Sequence, residues 1–226
     1  MDNNLFDLPS DFGGEVRLFP LPKLVMFPRN VQPLHIFESR YREMIEDAIQ
    51  GDQLIALATL MPGYETEYYS RPPIAPHICI GRVASHEKTE DGKYNLILVG
   101  ISRAQIGNEI TPVKSFRRAN VRVLDERPTD LSNPISEAVG RDLAKRLMAS
   151  LPSAKELVDE FVKQNISLST FTDVIAFHFP FDVEFKLELL SELDVVNRAK
   201  LLLKRLPGQS ISTKASDVAA PRFSDN

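Results

Sequence analysis

Apolar positions along the chain follow two different periods. From about Glu15 to Leu124 they fall in short runs of strand length, and after Pro128 they recur every three or four residues, as on one face of a helix. In the first part, "QLIALATL" from Gln53 to Leu60 is almost continuously apolar. Periodicity alone leaves a buried helix open there, but the length of the run and the "MPG" after it favour a strand. "HICIGRVASHEKTEDGKYNLILVG", His77 to Gly100, carries Asp91-Gly92 between two strand-like runs, which predicts a type I′ hairpin. "ISRAQIGNEI" and "RRANVRVLDE" follow; in the latter Ala119, Val121 and Val123 alternate with Asn120, Arg122 and Leu124. Several short strands with one early helix predict a compact, partly closed β-barrel.

The second part reads as helices. Asn133 is placed to cap a helix opened by Pro134, with Ile135, Val139, Leu143 and Leu147 as its apolar stripe. Ser153 and Glu156 have capping-box spacing before Leu157, Val158, Phe161 and Val162. "TFTDVIAFHF" forms a third helix stopped by Pro180. Asp182 and Asp194 are expected to cap "VEFKLELLSEL" and "VVNRAKLLLKRL", the latter ended by Pro207-Gly208. The expected organisation is a flexible N-terminus at 1–14, a barrel subdomain at 15–127, a helical bundle at 128–207 and a disordered tail at 208–226.

Composition narrows the function. The 226 residues are 43% hydrophobic and 26% charged, as in ordinary soluble proteins, and the net charge of −4 offers no attractive field for phosphate backbones or anionic membranes. Nucleic acid is therefore disfavoured and no membrane partner is expected. "MDNNLFDLPSD" lacks the basic and apolar regions of a secretory signal, and a single cysteine, Cys79, cannot form an internal disulfide. A cytoplasmic location is expected.

Catalytic motifs are near misses. "EKTEDGKY", Glu87 to Tyr94, has Glu87 where a phosphate-binding loop needs its first glycine and Tyr94 where it needs Ser or Thr. "HEKTE", His86 to Glu90, ends in Glu90 where a zinc-protease helix needs a second histidine. "GISRA", Gly100 to Ala104, ends in Ala104 where a nucleophile elbow needs glycine, and it is expected to be a turn between strands. Cys79, between isoleucines, reads as a small buried hydrophobe. No catalytic residue, metal ligand or cofactor site is expected.

One stretch is more specific. "LPKLVMFPRNVQPLHIFESRYREMIEDAI", Leu21 to Ile49, resembles the start of the amino-terminal domain of the ATP-dependent protease Lon in its Leu21-Pro22, Val25 to Pro28, Pro33 to Glu38 and Arg40-Tyr41. "CIGRVASHEKTEDGKYNLILVGISRAQI" and "FKLELLSELDVVNRAKLLLKRL" resemble later parts of that domain, so the likeness spans roughly Val16 to Leu206. It implies an α+β fold: a PUA-like β pseudo-barrel of about six strands with one early helix, followed by an α-helical bundle. Physically, the prolines fix extended backbone around a loop. Ile36, Tyr41, Met44, Ile45, Ala48 and Ile49 supply an apolar face against the barrel, and Glu38 is spaced to pair with Arg42.

The resemblance further implies a non-enzymatic module of the stand-alone Lon-domain kind, without the ATPase and Ser-Lys peptidase parts of Lon. Its implied partners are unfolded or exposed polypeptide segments, in a setting that includes a protease or chaperone; the oligomeric state is left open. The candidate polypeptide-binding residues are Phe27, Pro28 and Arg29 in the proline-rich loop and Tyr64, Tyr68 and Tyr69 in "MPGYETEYYSRPP". The alternative for those tyrosines is packing on the barrel rim. Two other functions stay open: RNA binding through Phe116, Arg117 and Arg118, because PUA-like barrels in other families bind RNA, and a small-ligand protein or enzyme with a deep pocket.

Overall fold

The computed structural model describes residues 5–66, 68–111, 114–127 and 134–207, and the backbone of 224–225. Its strands are β1 (Glu15–Leu21), β2 (Val31–Ile36), β3 (Leu54–Thr59), β4 (His77–Lys88), β5 (Tyr94–Glu109), β6 (Arg117–Leu124) and the two-residue β7 (Ser224–Asp225). Its helices are α1 (Ser39–Gln50), α2 (Pro134–Ser150), α3 (Lys155–Val162), α4 (Leu168–His178), α5 (Val183–Ser191) and α6 (Val195–Arg205). This is the mixed α+β composition expected from the two apolar periods.

The strands order as β4-β3-β1-β6-β5-β2-β7, and a further β4–β5 pairing joins the first strand to the fifth. That pairing closes a ring of β4, β3, β1, β6 and β5 and leaves β2 outside it on β5. The ring encloses Val16, Leu18, Leu54, Ala56, Ala58, Ile78, Ile80, Ile101, Ala104 and Ala119. On β1, β3 and β4 these positions step by two, which is the pleat: alternate side chains point inward; on β5 Ile101 and Ala104 are three apart, beside a register shift in the β4–β5 pairing. β3 escapes the alternation because all six of its residues are buried. It runs parallel to β1 and antiparallel to β4, a central position that explains why its sequence is a continuous apolar run.

Two local expectations change. The Asp91-Gly92 turn joins β4 and β5, but among the described non-glycine residues positive φ occurs only at Lys23, Arg29, Gln53 and Gln164. A type I′ turn needs two such residues, whereas only Gly92 (φ 78°) supplies one here. The observed loop bonds Gly92 N–H to the Thr89 carbonyl at 2.9 Å and Thr89 N–H to the Lys93 carbonyl at 2.9 Å. This is the longer hairpin in which an ordinary turn is followed by a left-handed glycine. Asp91 then accepts from Thr89 Oγ1 at 2.5 Å, and bonds from Lys93 and Thr89 hold its carboxyl well below the usual range.

The second change is at "GISRA", which is no turn. β5 runs unbroken from Tyr94 to Glu109, its first half paired with β2 and its second with β6. A Cβ on Gly100 would lie 2.2 Å from the Phe27 carbonyl oxygen, so the glycine serves close approach of two backbones.

The chain forms two compact units. One holds the strands and α1 together with Asp182–Ser191; the other holds Asp125–Phe181 and the segment beginning at Glu192. The expected uninterrupted helical region from 128 to 207 is thus divided. α5 packs on β4, burying Phe185, Leu189 and Leu190, and buried Arg103 donates from Nε to the Leu190 carbonyl at 3.1 Å. Leu8 and Phe12, within the segment expected to be flexible, pack against the barrel core.

In the helical unit, Asp194 accepts from Asn197 N–H at 3.0 Å as the cap of α6, and in the strand unit Asp182 accepts from Phe185 N–H at 2.8 Å at the start of α5. Ser167 caps α4, which begins earlier than "TFTDVIAFHF" suggests. The Ser153 capping box does not form: a 3-10 turn takes Pro152–Ala154, and α3 starts after Ala154 without a side-chain cap. On α2 the stripe is buried at Leu143 and Leu147, while Ile135 is exposed. The expected Asn133 cap, and residues 208–223 of the tail, lie outside the described residues.

Candidate functional site

Within the strand unit, a cavity of about 230 Å³ is lined by residues from four places in the sequence. Arg40 and Tyr41 come from the first turn of α1, Tyr68, Tyr69 and Arg71 from the loop after β3, and Phe116 and Arg117 from the start of β6, with Lys114 before them. β1 contributes Pro20.

The loop after β3 is held at its neck. Leu60 and Ile74 form a bridge, Met61 N–H donates to the Pro73 carbonyl at 2.9 Å and Ala75 N–H to the Thr59 carbonyl at 2.8 Å. Such a pinched base converts a proline-flanked segment into a compact surface loop. A second fastening comes from α1. Tyr68 donates from its hydroxyl to Glu38 Oε1 at 2.6 Å, and Arg40 donates to the Tyr68 carbonyl from Nη1 at 3.3 Å. Glu38 also accepts from Arg40 Nε at 3.0 Å. The expected Glu38–Arg42 pair is therefore replaced: Arg42 donates instead to the Gly92 carbonyl at 3.3 Å. At the helix start, a two-residue reach from Glu38 to Arg40 wins because both side chains meet Tyr68 there.

Arg40 is ringed by aromatics. Its guanidinium carbon lies 4.6 Å from the Tyr41 ring centroid, 5.0 Å from Tyr68 and 5.9 Å from Tyr69. Contacts of this length between a guanidinium and ring faces are attractive. Burial pushes the Tyr41 hydroxyl up to about 12, and burial with the Glu38 hydrogen bond raises Tyr68 further, so both phenols stay neutral hydrogen-bond donors. Tyr69 is 88% exposed and meets the Tyr68 ring edge-on at 5.3 Å.

The sequence-derived residues separate. Tyr68 and Tyr69 line the cavity; Tyr64, half-buried, stands beside it with its ring 6.4 Å from that of Tyr68. Phe27 is completely buried, Pro28 is half-buried, and exposed Arg29 (φ 61°) stacks over Phe6 at 5.3 Å. None of these three lines the cavity. Phe27 belongs to the core because its backbone is drawn against Gly100, with Arg29 N–H and Gly100 N–H each bonded across the same junction.

Arg40, Tyr41 and Arg71 had no functional reading in the sequence; the only signal was the adjacency of Arg40-Tyr41 at a helix start. Phe116 and Arg117 do reach the cavity, but Arg117 is tied to Glu109 and donates to the Pro72 carbonyl at 2.7 Å, while Arg118 pairs with Glu15 at 2.7 Å. Among the described residues no group of three or more His, Cys, Asp or Glu is placed to hold a metal ion, and no helix is long and apolar enough to cross a membrane.

Residues 15–207 match the family described as the ATP-dependent protease La (LON) substrate-binding domain. Among curated proteins, the chain is 26% identical over 195 residues to Lon protease 2 of Myxococcus xanthus, covering 84% of this chain and 23% of that protein. It is 24% identical over 211 residues to the Lon protease of Desulfosudis oleivorans, covering 89% of this chain and 25% of the relative. The chain thus spans about a quarter of the length of these relatives. Among solved structures, the N-terminal domain of Mycobacterium avium complex Lon protease superposes with a TM-score of 0.64 at 20% identity, covering 84% of this chain and 96% of that one. A Lon N-terminal domain protein from Xanthomonas campestris gives 0.63 at 20% identity, covering 85% and 99%. Those structures share the fold, and the match across 15–207 settles the family: the chain belongs to the Lon substrate-binding domain family.

Proposed function

We propose that this chain is a non-catalytic module that binds exposed segments of other polypeptides and presents them to a protease or chaperone, with the Tyr68–Tyr69 cavity as the point of capture. The observation that carries this reading is Tyr69, 88% exposed at the mouth of a cavity walled by Tyr41, Tyr68 and Phe116. A large ring left in water beside an aromatic-walled recess offers contact area at small entropic cost, because tyrosine has only two side-chain torsions to fix. The recess is below the roughly 300–1,000 Å³ of ordinary small-molecule sites, a size suited to one side chain of a longer ligand. Family membership supports the same assignment. The proposal concerns this domain's own binding; an adaptor role follows from it only where the captured polypeptide is passed on.

The test compares a reduced and alkylated protein that cannot refold with its native form, each titrated against this chain by fluorescence anisotropy. The unfolded form is expected to bind and the native form not. Tyr69→Ser, which removes a ring that is almost wholly in water, is expected to weaken binding by about tenfold or more without changing the unfolding midpoint, as loss of an interfacial aromatic anchor does. Equal binding of Tyr69→Ser and the parent chain would remove the site assignment.

A further inference from the structure

The cavity's lining residues include four cations, Arg40, Arg71, Lys114 and Arg117, and no carboxylate. This is unexpected in a chain of net charge −4. The acids nearby are outside the lining, each already engaged. Glu38 serves Arg40, Glu109 serves both Arg71 and Arg117, Asp47 serves Arg17 and Lys114, and Glu43 accepts from Ser115. One carboxylate shared by Arg71 and Arg117 leaves that pair with an excess positive charge. Among the described residues Arg71 donates only through Nη1, to Glu109 at 2.5 Å, and Lys114 only to Asp47. A guanidinium has five N–H donors and an ammonium three, so both retain donors. Their side chains are 37% and 43% exposed, the most accessible of the four.

Donors on cationic groups, beside aromatic walls, suit one chemistry above others. A carboxylate accepts charge-assisted hydrogen bonds from Arg and Lys, while an adjoining apolar or aromatic residue lies on Tyr41, Tyr68, Tyr69 and Phe116. Resting on the polypeptide-binding reading above, the geometry points to a specificity within it: the cavity captures a carboxylate-bearing residue flanked by an aromatic or large aliphatic one. Basic segments are disfavoured, because the lining itself holds no acid and the neighbouring carboxylates are already engaged, leaving an incoming ammonium without a partner. The carboxylate is that of an Asp or Glu side chain or of a chain terminus. A nucleic-acid phosphate shares the charge, but the cavity is too small for a nucleotide, and the acidic molecule repels a polyanion beyond this one wall.

The experiment uses fluorescently labelled peptides of one length and hydrophobicity, containing Phe-Asp, Phe-Asn or Phe-Lys pairs, each made with a free and an amidated C-terminus. The Asp peptide is expected to bind about tenfold or more tightly than its Asn twin, with affinity falling as salt rises. An Asp advantage that survives amidation assigns the carboxylate to the side chain, whereas equal binding of the free-terminus Asp and Asn peptides, lost for both on amidation, assigns it to the terminus. Arg71→Gln and Lys114→Gln, at exposed side chains, are expected to shrink the Asp-over-Asn ratio toward one while the Asn peptide's affinity stays unchanged. Equal binding of Asp, Asn and Lys peptides, unchanged by amidation, would overturn the charge specificity and leave polypeptide binding standing. Binding of none of them would overturn both readings, and displacement of the Asp peptide by a short uridine oligonucleotide would transfer the site to nucleic acid.

Discussion

Removing the Arg198 guanidinium is expected to cost a large share of the stability of the helical unit. Arg198 is 0% exposed. It donates from Nε to Thr172 Oγ1 at 3.0 Å, from Nη1 to the Glu192 carbonyl at 2.8 Å and from Nη2 to Glu126 Oε1 at 2.5 Å, and Nε lies 3.3 Å from Asp173 Oδ1. Arg198→Met keeps most of the aliphatic stem, so little cavity is created, and the loss is chiefly electrostatic. Glu126, with a side chain 27% exposed, recovers hydration, but Asp173, at 2%, does not. Breaking a buried pair on one side costs about 3–5 kcal/mol, against a total stability of about 5–15 kcal/mol. In urea, at an m-value of about 2 kcal/mol/M, the far-ultraviolet circular dichroism midpoint falls by about 1.5 M or more. The double variant Arg198→Met/Asp173→Asn tests the cause. Neutralising Asp173 removes the charge that lost its guanidinium, so the double variant is expected to be about 1 kcal/mol or more stabler than the single one. A single-variant loss under about 1 kcal/mol, or a double variant less stable than the single, would refute the reasoning.

Two further outcomes follow from specific contacts. Gly100→Ala places a Cβ 2.2 Å from a backbone oxygen that cannot move independently, whereas Gly81→Ala meets the Leu98 side chain at 2.8 Å, which has other rotamers. Gly100→Ala is expected to lose about 3 kcal/mol or more and Gly81→Ala clearly less, measured by the same urea titration; equal losses would contradict the backbone-approach account. Asp47→Asn probes pH dependence. Burial opposes ionisation of Asp47, but hydrogen bonds from Lys114 and Arg17 outweigh it and hold the carboxyl below its usual range. A pKa depressed in the folded state stabilises above the unfolded value of about 4 and loses that contribution as pH falls through the folded value. The variant is therefore expected to be less stable than the parent at neutral pH, by at most about 1 kcal/mol, with the gap closing in acid. A gap that widens in acid would overturn the assignment.

What the sequence determined by itself is what depends on a few neighbouring residues. The two apolar periods separate strands from helices. The length of "QLIALATL" makes a strand, and Asp182 and Asp194 cap helices because a short carboxylate reaches a backbone N–H three residues on. The spaced Leu-Pro, Phe-Pro and Arg-Tyr motifs carry the family. That Tyr68 and Tyr69 stand together in a surface loop, where both line one cavity, was legible because rings in a proline-flanked loop have little core to enter.

Tertiary structure decided the rest, through groups distant in sequence. Gly100 resembles a turn residue until the Phe27 backbone is seen against it, and the same approach moves Phe27 from a loop surface into the core. Glu38 pairs with Arg40 rather than Arg42 because Tyr68, 30 residues away, brings its hydroxyl there. α5 leaves the other helices because Arg103, 87 residues away, and β4 hold it to the strands. The cationic lining of the cavity is likewise absent from any local stretch, since Arg40, Arg71, Lys114 and Arg117 meet only when α1, a pinched loop and the start of β6 are folded together. Local pattern fixes backbone conformation within a few residues; which side chains then share a dielectric and a partner is set by strand closure and packing.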